Sequence, residues 1–503
     1  MRTTAGPHLL PHLPLVRGNG VALHQQLFDG LRRAILGRVL RPGGRVPSTR
    51  ALAQELGVSR LTVLTAYDQL LHEGYLEGRA GAGTFVSGAL PDDALHATPL
   101  RRTRAPNATN ATGAATPSSG TVRDDASPGA TSGRREDRGL RPFRLSLPAL
   151  DEFPRATWAR LVSRHARALT PAMMAYGLPG GLGVLREAVA EHLRTSRAVR
   201  CEADQVLITS GSQAGLRLCA AVLLRHGDVV AVEEPGYPGA RSAFTAAGAR
   251  LAPVPVDDEG MDVAGLASLG ARVRAACVTP SHQYPLGVSM SAARRLALLE
   301  WAERHGSWVI EDDYDSEYRY VSRPLGALQG VDAAGRVIYV GTFSKVLFPA
   351  LRVGYLVVPA SLRDAFFEAR DAFDIFSPTL YQLALADFIR EGHFVRHLRR
   401  MRTLYHGRRD ALLDGLARHC AASITVHNAE AGLHVSTWLR DGMSDVALVR
   451  RMQERRLSAT ALSTCYMGAA ARSGLLLGFG GSNERQLRAA TRTLGELLAS
   501  DAS

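Results

Sequence analysis

"GTFSKVLFPALRVGY", residues 341–355, carries Lys345, the only lysine in a chain of 503 residues; every other member of its 60 Lys and Arg is arginine. The two cations are not equivalent. A guanidinium stays charged, whereas an amine loses its proton when desolvated and condenses with a carbonyl. Arginine-favouring codon usage would also leave an occasional lysine, so the neighbours decide. Thr342, Ser344 and Arg352 share the stretch, two hydroxyls and a guanidinium beside one amine.

Outward from it run short apolar segments: "QVLITSG", "DVVAVEEP", "AACVTPS", "SWVIEDDY", "RVIYVGTFS" and "VGYLVVP". Their length and continuous apolar character predict buried strands of a mostly parallel α/β sheet over residues 143–500, alternating with helical patterns. Ligands in such sheets sit beyond the carboxyl ends of the strands. "SWVIEDDYD" stops there at an acidic cluster. A carboxylate in that place suits a protonated ring nitrogen, and a tyrosine beside it suits a phenolic oxygen. "ITSGSQAGL" is a strand, a Gly-Ser turn and a helix start, which together make an anion site. "VEEPGYPG" sets Tyr237 in a loop, able to stack on a planar ring. A pyridine ring bearing an aldehyde, a phenolic oxygen and a phosphate needs this set of groups. Each piece alone is commonplace; their joint occurrence on strand ends, around the sole lysine, is the signal.

The bulk numbers bound the rest. The length allows about three domains, and 46% hydrophobic residues allow a large core. No apolar run is long enough for a membrane span, and the N-terminal residues show no signal-peptide block. Five scattered cysteines without a CxxC pair predict free thiols in a reducing cytoplasm. The 16 histidines show no metal spacing, and no metal is expected. The net charge of +13 favours a polyanionic partner.

Residues 15–88 form a compact basic segment, with nine arginines against five carboxylates. Leu23, Leu27, Leu31 and Ile35 recur at helical spacing. Ser48 or Thr49 caps a helix over 50–56, Gly57 turns the chain, and Ser59 caps a second helix over 60–73 with Leu61, Leu64, Leu70 and Leu71 as its apolar residues. Helix, glycine turn, helix is the arrangement that sets a second helix into a major groove. "GYLEGRAGAGTFV" adds two short strands around a glycine-rich tip, a wing. Residues 89–142, rich in Ala, Thr, Gly, Ser and Pro as in "APNATNATGAATPSSG", predict a disordered linker. A flexible chain of that length spans roughly 40 Å.

"GGRVPSTRALAQELGVSRLTV…AYDQLLHEGYLEGRAGAGTFV" resembles the winged helix-turn-helix DNA-binding domain of the GntR family of bacterial regulators. The resemblance implies that Arg45, Ser48 and Arg50 meet phosphates or base edges of operator DNA, that Ser59, Arg60 and Thr62 open the recognition helix, and that Gly81 and Gly83 let the wing approach the minor groove. Leu61 and Leu64 stand where relatives usually carry polar readers. That leaves a thymine-methyl or shape contact, or simple packing, as alternatives.

Residues 143–500 resemble the fold-type I aminotransferase domain, and the whole chain resembles the MocR subfamily of GntR regulators. The motifs are "YGLPGGLGVLREAVAEHL", "LITSGSQAGL", "EEPGYPGA", "VTPSHQYPLGVSMS", "EDDYDSEYRY" and "GTFSKVLFPALRVGYLVVP". The resemblance implies pyridoxal 5'-phosphate as cofactor, with Lys345 as its Schiff-base lysine. Asp312 would pair with the ring nitrogen, Tyr314 with the phenolate oxygen, and Tyr237 would stack on the ring. Ser212, Gln213, Ser344 and Arg352 would hold the phosphate. Tyr176 would reach in from the partner of a homodimer, and Tyr284 stands where many aminotransferases have an asparagine. Arg472 is the nearest match to the arginine that clamps a substrate carboxylate, though out of register with it. The implied function is a cytoplasmic, nucleoid-associated transcription regulator whose aminotransferase-like domain senses the cofactor, a small amine or an amino acid, with paired operator half-sites read by the dimer. The alternative is a working aminotransferase with an accessory DNA-binding domain.

Overall fold

The computed structural model describes residues 15, 23–36, 39–41, 43–72, 75–79, 83–87, 140–270, 273–320 and 326–500. The chain divides into two compact units, Met1–Leu140 and Arg141–Ser503. The assigned linker falls outside the described residues up to 139. Its last three residues, 140–142, do not: Arg141 Nη1 donates to the Gln453 carbonyl and the Pro142 carbonyl accepts from Ser458 N–H at 2.9 Å. These bonds fix 141 and 142 to the second unit, so the boundary lies slightly earlier than composition placed it.

The first unit packs three helices, α1 (Leu23–Leu36), α2 (Thr49–Leu56) and α3 (Arg60–His72), against a hairpin of β1 (Leu76–Arg79) and β2 (Gly83–Val86). Ser48 caps α2 through its Oγ, which accepts from Ala51 N–H, and Gly57 ends it in the left-handed conformation. Ser59 Oγ accepts from Thr62 N–H and caps α3. Leu27, Leu31 and Ile35 are buried against Leu52, Val63, Ala66, Tyr67 and Leu70. The buried stripe of α3 therefore runs 63, 66, 67, 70. Leu64 is one helical step of about 100° off that stripe and is 40% exposed. Apolar character alone had grouped it with Leu70. The side chain of Leu61 lies outside the described residues, as does Gly81.

The second unit is built on eight strands: β3 (Val206–Thr209), β4 (Val229–Glu234), β5 (Arg250–Asp257), β6 (Gly260–Met261), β7 (Val273–Val278), β8 (Trp308–Asp313), β9 (Val337–Thr342) and β10 (Gly354–Val357). They lie in the order β3-β10-β9-β8-β7-β4-β5-β6. Strands β5, β4, β7, β8 and β9 pair in parallel. β10 runs antiparallel to both β9 and β3, so β3 points the same way as β9. Successive side chains face opposite layers. Ile310, Ile338 and Leu356 pack with Phe244 and Phe366 on one side. Val309 and Val337 pack with Trp301 on the other. A second sheet, β11 (Ile424–Asn428), β12 (His434–Leu439), β13 (Thr460–Ala461) and β14 (Gly474–Gly478), is wholly antiparallel. The basic helix His393–His419 buries Phe394, Leu398, Met401 and Tyr405.

The topology places function. The turns after β3, β4, β7, β8 and β9 leave the sheet at one edge, and those turns hold Gly211, Tyr237, Tyr284, Tyr314 and Lys345. Where β10 enters this edge, Gly354 lies against the Gly211 turn; a Cβ there would stand 2.8–2.9 Å from Gly211 backbone atoms. Gly354→Ala is therefore expected to lower unfolding stability by about 1–3 kcal/mol, the usual cost of overpacking. A denaturant titration with an unchanged midpoint would contradict that contact.

Candidate functional site

Lys345 follows β9 by three residues. The Thr342 hydroxyl accepts from Ser344 N–H at 3.1 Å, closing a tight turn just before the lysine. Its Nζ donates to the Ser146 carbonyl at 3.3 Å. Burial lowers the amine's pKa to about 8; Asp315 and Asp312 work against that shift, and Arg352 adds to it.

Asp312 stands within β8 and is buried. Burial, then the neighbouring Asp313 charge, raise its pKa to about 7, with Lys345 pulling the other way. Its Oδ1 has no hydrogen-bond partner. A buried carboxylate oxygen without a donor is costly, and a protonated ring nitrogen would satisfy it. The adjacent acids are occupied: Asp313 accepts from Arg197 and Tyr339, while Glu311 accepts from the N–H groups of Leu328 and Gln329. Glu233 accepts from Thr279 and Gln283. Asp312 alone in this group presents an unanswered oxygen.

The aromatic residues gather beside it. Tyr237 meets Tyr284 edge-on at 5.5 Å between centroids, and Tyr284 meets Tyr314 at 6.1 Å. Tyr237 lies over Gly239, where a Cβ would stand 2.4 Å from its ring. The Tyr314 hydroxyl is 2.9 Å from His282 Nδ1.

The cradle is built from glycine and one strained arginine. Gly211, at φ +99°, precedes the helix Ser212–Leu223. Arg352 adopts the left-handed conformation, φ +52°, and its Nη2 donates to the Ser210 carbonyl at 2.7 Å. A Cβ on Gly211 would stand a tight 3.2 Å from that guanidinium, so glycine gives it room across the helix start. Free N–H groups at the helix N-terminus and the cation beside them form an anion site. Ser212 opens this helix. Gln213 is tied across it, its amide donating to the Gly239 carbonyl at 2.7 Å. Amine, unanswered carboxylate, aromatic wall and anion cradle fit pyridoxal phosphate in chemistry.

Two residues lie apart. Tyr176 is 84% exposed and touches the Phe376 ring. Arg472 is exposed, with its guanidinium over the Trp438 ring of β12 at 5.2 Å. Sequence reasoning missed His282, Asp315 and Ser146. The first two lie inside quoted motifs, "SHQYPLG" and "EDDYDSEYRY", yet nothing in either motif says that they meet.

In the first unit Arg45, Ser48, Arg50, Ser59 and Arg60 are exposed, and Thr62 is half-buried. Arg45 bridges to Phe85 of the wing, and a Cβ on Gly83, at φ +109°, would stand 3.1 Å from its Nε. The Ser48 cap uses an oxygen lone pair and leaves the O–H to donate outward.

Residues 151–491 match the family model "Aminotransferase class I and II", and residues 23–86 match "Bacterial regulatory proteins, gntR family". The chain is 40% identical to the probable rhizopine catabolism regulatory protein MocR of Rhizobium meliloti, over 96% of this chain and 95% of that one. It is 34% identical to the pyridoxine biosynthesis transcriptional regulator PdxR of Corynebacterium glutamicum, over 95% of each. Among solved structures, the α-aminoadipate aminotransferase LysN of Thermus thermophilus, complexed with N-(5'-phosphopyridoxyl)-L-leucine, superposes with a TM-score of 0.68 at 30% identity, covering 74% of this chain and 95% of that one.

The Asp312 carboxyl binds its proton more tightly in the folded chain than in the unfolded one. Its contribution to stability is therefore present at low pH and lost as pH rises through about 7. In the cofactor-free chain, Asp312→Asn should stabilise by on the order of 1–3 kcal/mol at pH 8. The gain should grow between about pH 4 and 7 and then level off. Chemical denaturation at pH 5 and pH 8 checks this, and a variant less stable than wild type at pH 8 would contradict it.

Proposed function

The chain belongs to the MocR type of GntR regulators, in which a GntR helix-turn-helix domain precedes an aminotransferase class I and II domain, and on that premise we propose that this DNA-binding transcription regulator holds pyridoxal phosphate and uses it to sense a small amine or amino acid. The observation that carries the reading is the unanswered Asp312 oxygen, buried at the same sheet edge as the only lysine.

When bound, pyridoxal phosphate supplies an aldehyde that condenses with amines and a ring that accepts negative charge. The chain's own residues do the rest. Lys345 presents the amine; burial keeps part of it neutral near physiological pH. Asp312 accepts the ring-nitrogen proton, and its buried oxygen holds the ring in one orientation. Tyr314 donates to the ring oxygen. Tyr237 covers one ring face, with Tyr284 packed against its edge. Arg352, Ser344, Ser212, Gln213 and the helix N-terminus hold the phosphate.

A second copy of the chain completes the site in this reading. Tyr176, Met174 and Leu178 are 84%, 74% and 65% exposed, an apolar surface of the kind that marks an interface. Two DNA-binding heads on one dimer then call for paired half-sites in the operator. The effector is a molecule whose amine replaces that of Lys345, and Arg472 is the proposed partner for an effector carboxylate.

Lys345→Arg keeps charge and fold but removes the condensing amine. It should abolish the visible absorbance of the cofactor-loaded protein while leaving the circular dichroism spectrum unchanged; an unaltered visible band would contradict the assignment of Lys345. In the wild type, an effector should shift that band and release no carbonyl product. Stoichiometric keto or aldehyde product, with the band restored by a carbonyl acceptor, would instead establish a working aminotransferase.

A further inference from the structure

Behind the Tyr314 hydroxyl lie three buried side chains from distant segments, His282, Asp315 and His434. Asp315 Oδ1 and Tyr314 Oη are both 2.9 Å from one atom, His282 Nδ1. That nitrogen carries either a proton or a lone pair. A carboxylate only accepts, so Asp315 fixes the proton on Nδ1. The Tyr314 oxygen then accepts a share of the same proton. Its own hydrogen is turned away from the histidine.

We propose that His282, oriented by Asp315, is a positioning residue that turns the Tyr314 hydroxyl proton toward the ring oxygen of bound pyridoxal phosphate. This rests on the cofactor reading above.

The pair is locked in place by backbone. Gly432, at φ +71°, leaves the space the pair occupies: a Cβ there would stand 2.1 Å from His282 Cε1 and 2.6 Å from Asp315 Oδ2. His434 lies 5.2 Å from the His282 ring, and its Nε2 is 3.1 Å from the Pro285 carbonyl. Burial lowers the His434 pKa to about 4, so the ring stays neutral. Hydrogen bonds engage all three side chains.

The consequence has a sign. A proton donated to the ring oxygen stabilises negative charge there and weakens its hold on a neighbouring proton. Losing the donor moves the pH midpoint of the bound cofactor's absorbance change upward. The other ionisable groups facing Tyr314 are Asp315, Tyr284, Asp312 and Glu233, and those facing His434 are His282, Asp315 and Lys345. Asp315 also raises the Lys345 pKa. Removing its charge alone would therefore move the midpoint down, opposite to the positioning effect. The test accordingly keeps Asp315 and changes His282.

The full-length protein, loaded with pyridoxal phosphate, is titrated with pH while its visible spectrum is recorded, as wild type, His282→Phe, Tyr314→Phe and the double variant. His282→Phe should raise the midpoint by about one pH unit, a tenfold change in proton affinity, and add nothing once Tyr314 is phenylalanine. If His282→Phe does not fold, His282→Leu, which also lacks a hydrogen-bonding group, carries the same comparison. An unmoved or lowered midpoint, or a shift that adds in full to that of Tyr314→Phe, would overturn the proposal. So would a stoichiometric divalent metal that is lost with either histidine. A wild type with no visible band would instead overturn the cofactor reading itself.

Discussion

Asp312, buried, and Lys345, half-buried, stand at one sheet edge, and desolvation moves the pKa of each toward its neutral form. An unanswered carboxyl oxygen in a packed interior costs stability, and Asp312 keeps one beside Glu311, Asp313 and Glu233, which accept hydrogen bonds. The neighbouring features serve that pair. The parallel strands bring the turns together, the Gly211 turn and Arg352 form the anion cradle, and Tyr237, Tyr284 and Tyr314 line the space between. In the proposed reading, a ligand that answers the Asp312 oxygen offsets that cost. Binding to the folded state is then also a contribution to its stability.

Much of this was legible in the sequence, for a physical reason. Strands buried on both faces read as continuous apolar runs, so β3, β4, β7, β8, β9 and β10 could all be found by inspection. The single lysine of an otherwise arginine-only chain marked a position to examine, and the fold sets it at the strand ends beside Asp312. Capping also reads locally: Ser48, Gly57 and Ser59 occupy the helix ends that their side chains and backbone preferences dictate.

What was not legible depends on contacts between distant residues. His282, Asp315 and His434 come from three segments, and only the fold brings them together; their spacing along the chain carries no motif. Ser146 reaches Lys345 from the start of the second unit, far away in sequence. The antiparallel setting of β10 cannot be told from its composition, because a strand buried on both faces reads alike in either direction. Leu64 was misgrouped because an apolar residue on a helix does not declare its side until the buried stripe is known.

Regulation requires that the two units share free energy, whatever their arrangement. A ligand at Lys345 changes DNA affinity only by the difference in its own affinity for the DNA-bound and DNA-free chain, and the effect is reciprocal. The most direct measurement determines both halves of that cycle on the full-length, cofactor-loaded protein. DNA affinity, for a fragment selected from a random double-stranded pool, is measured with and without an amine that shifts the visible band; affinity for that amine is measured with and without the DNA. The same factor, different from one, is expected in both directions. Affinities that are each indifferent to the other ligand would contradict it.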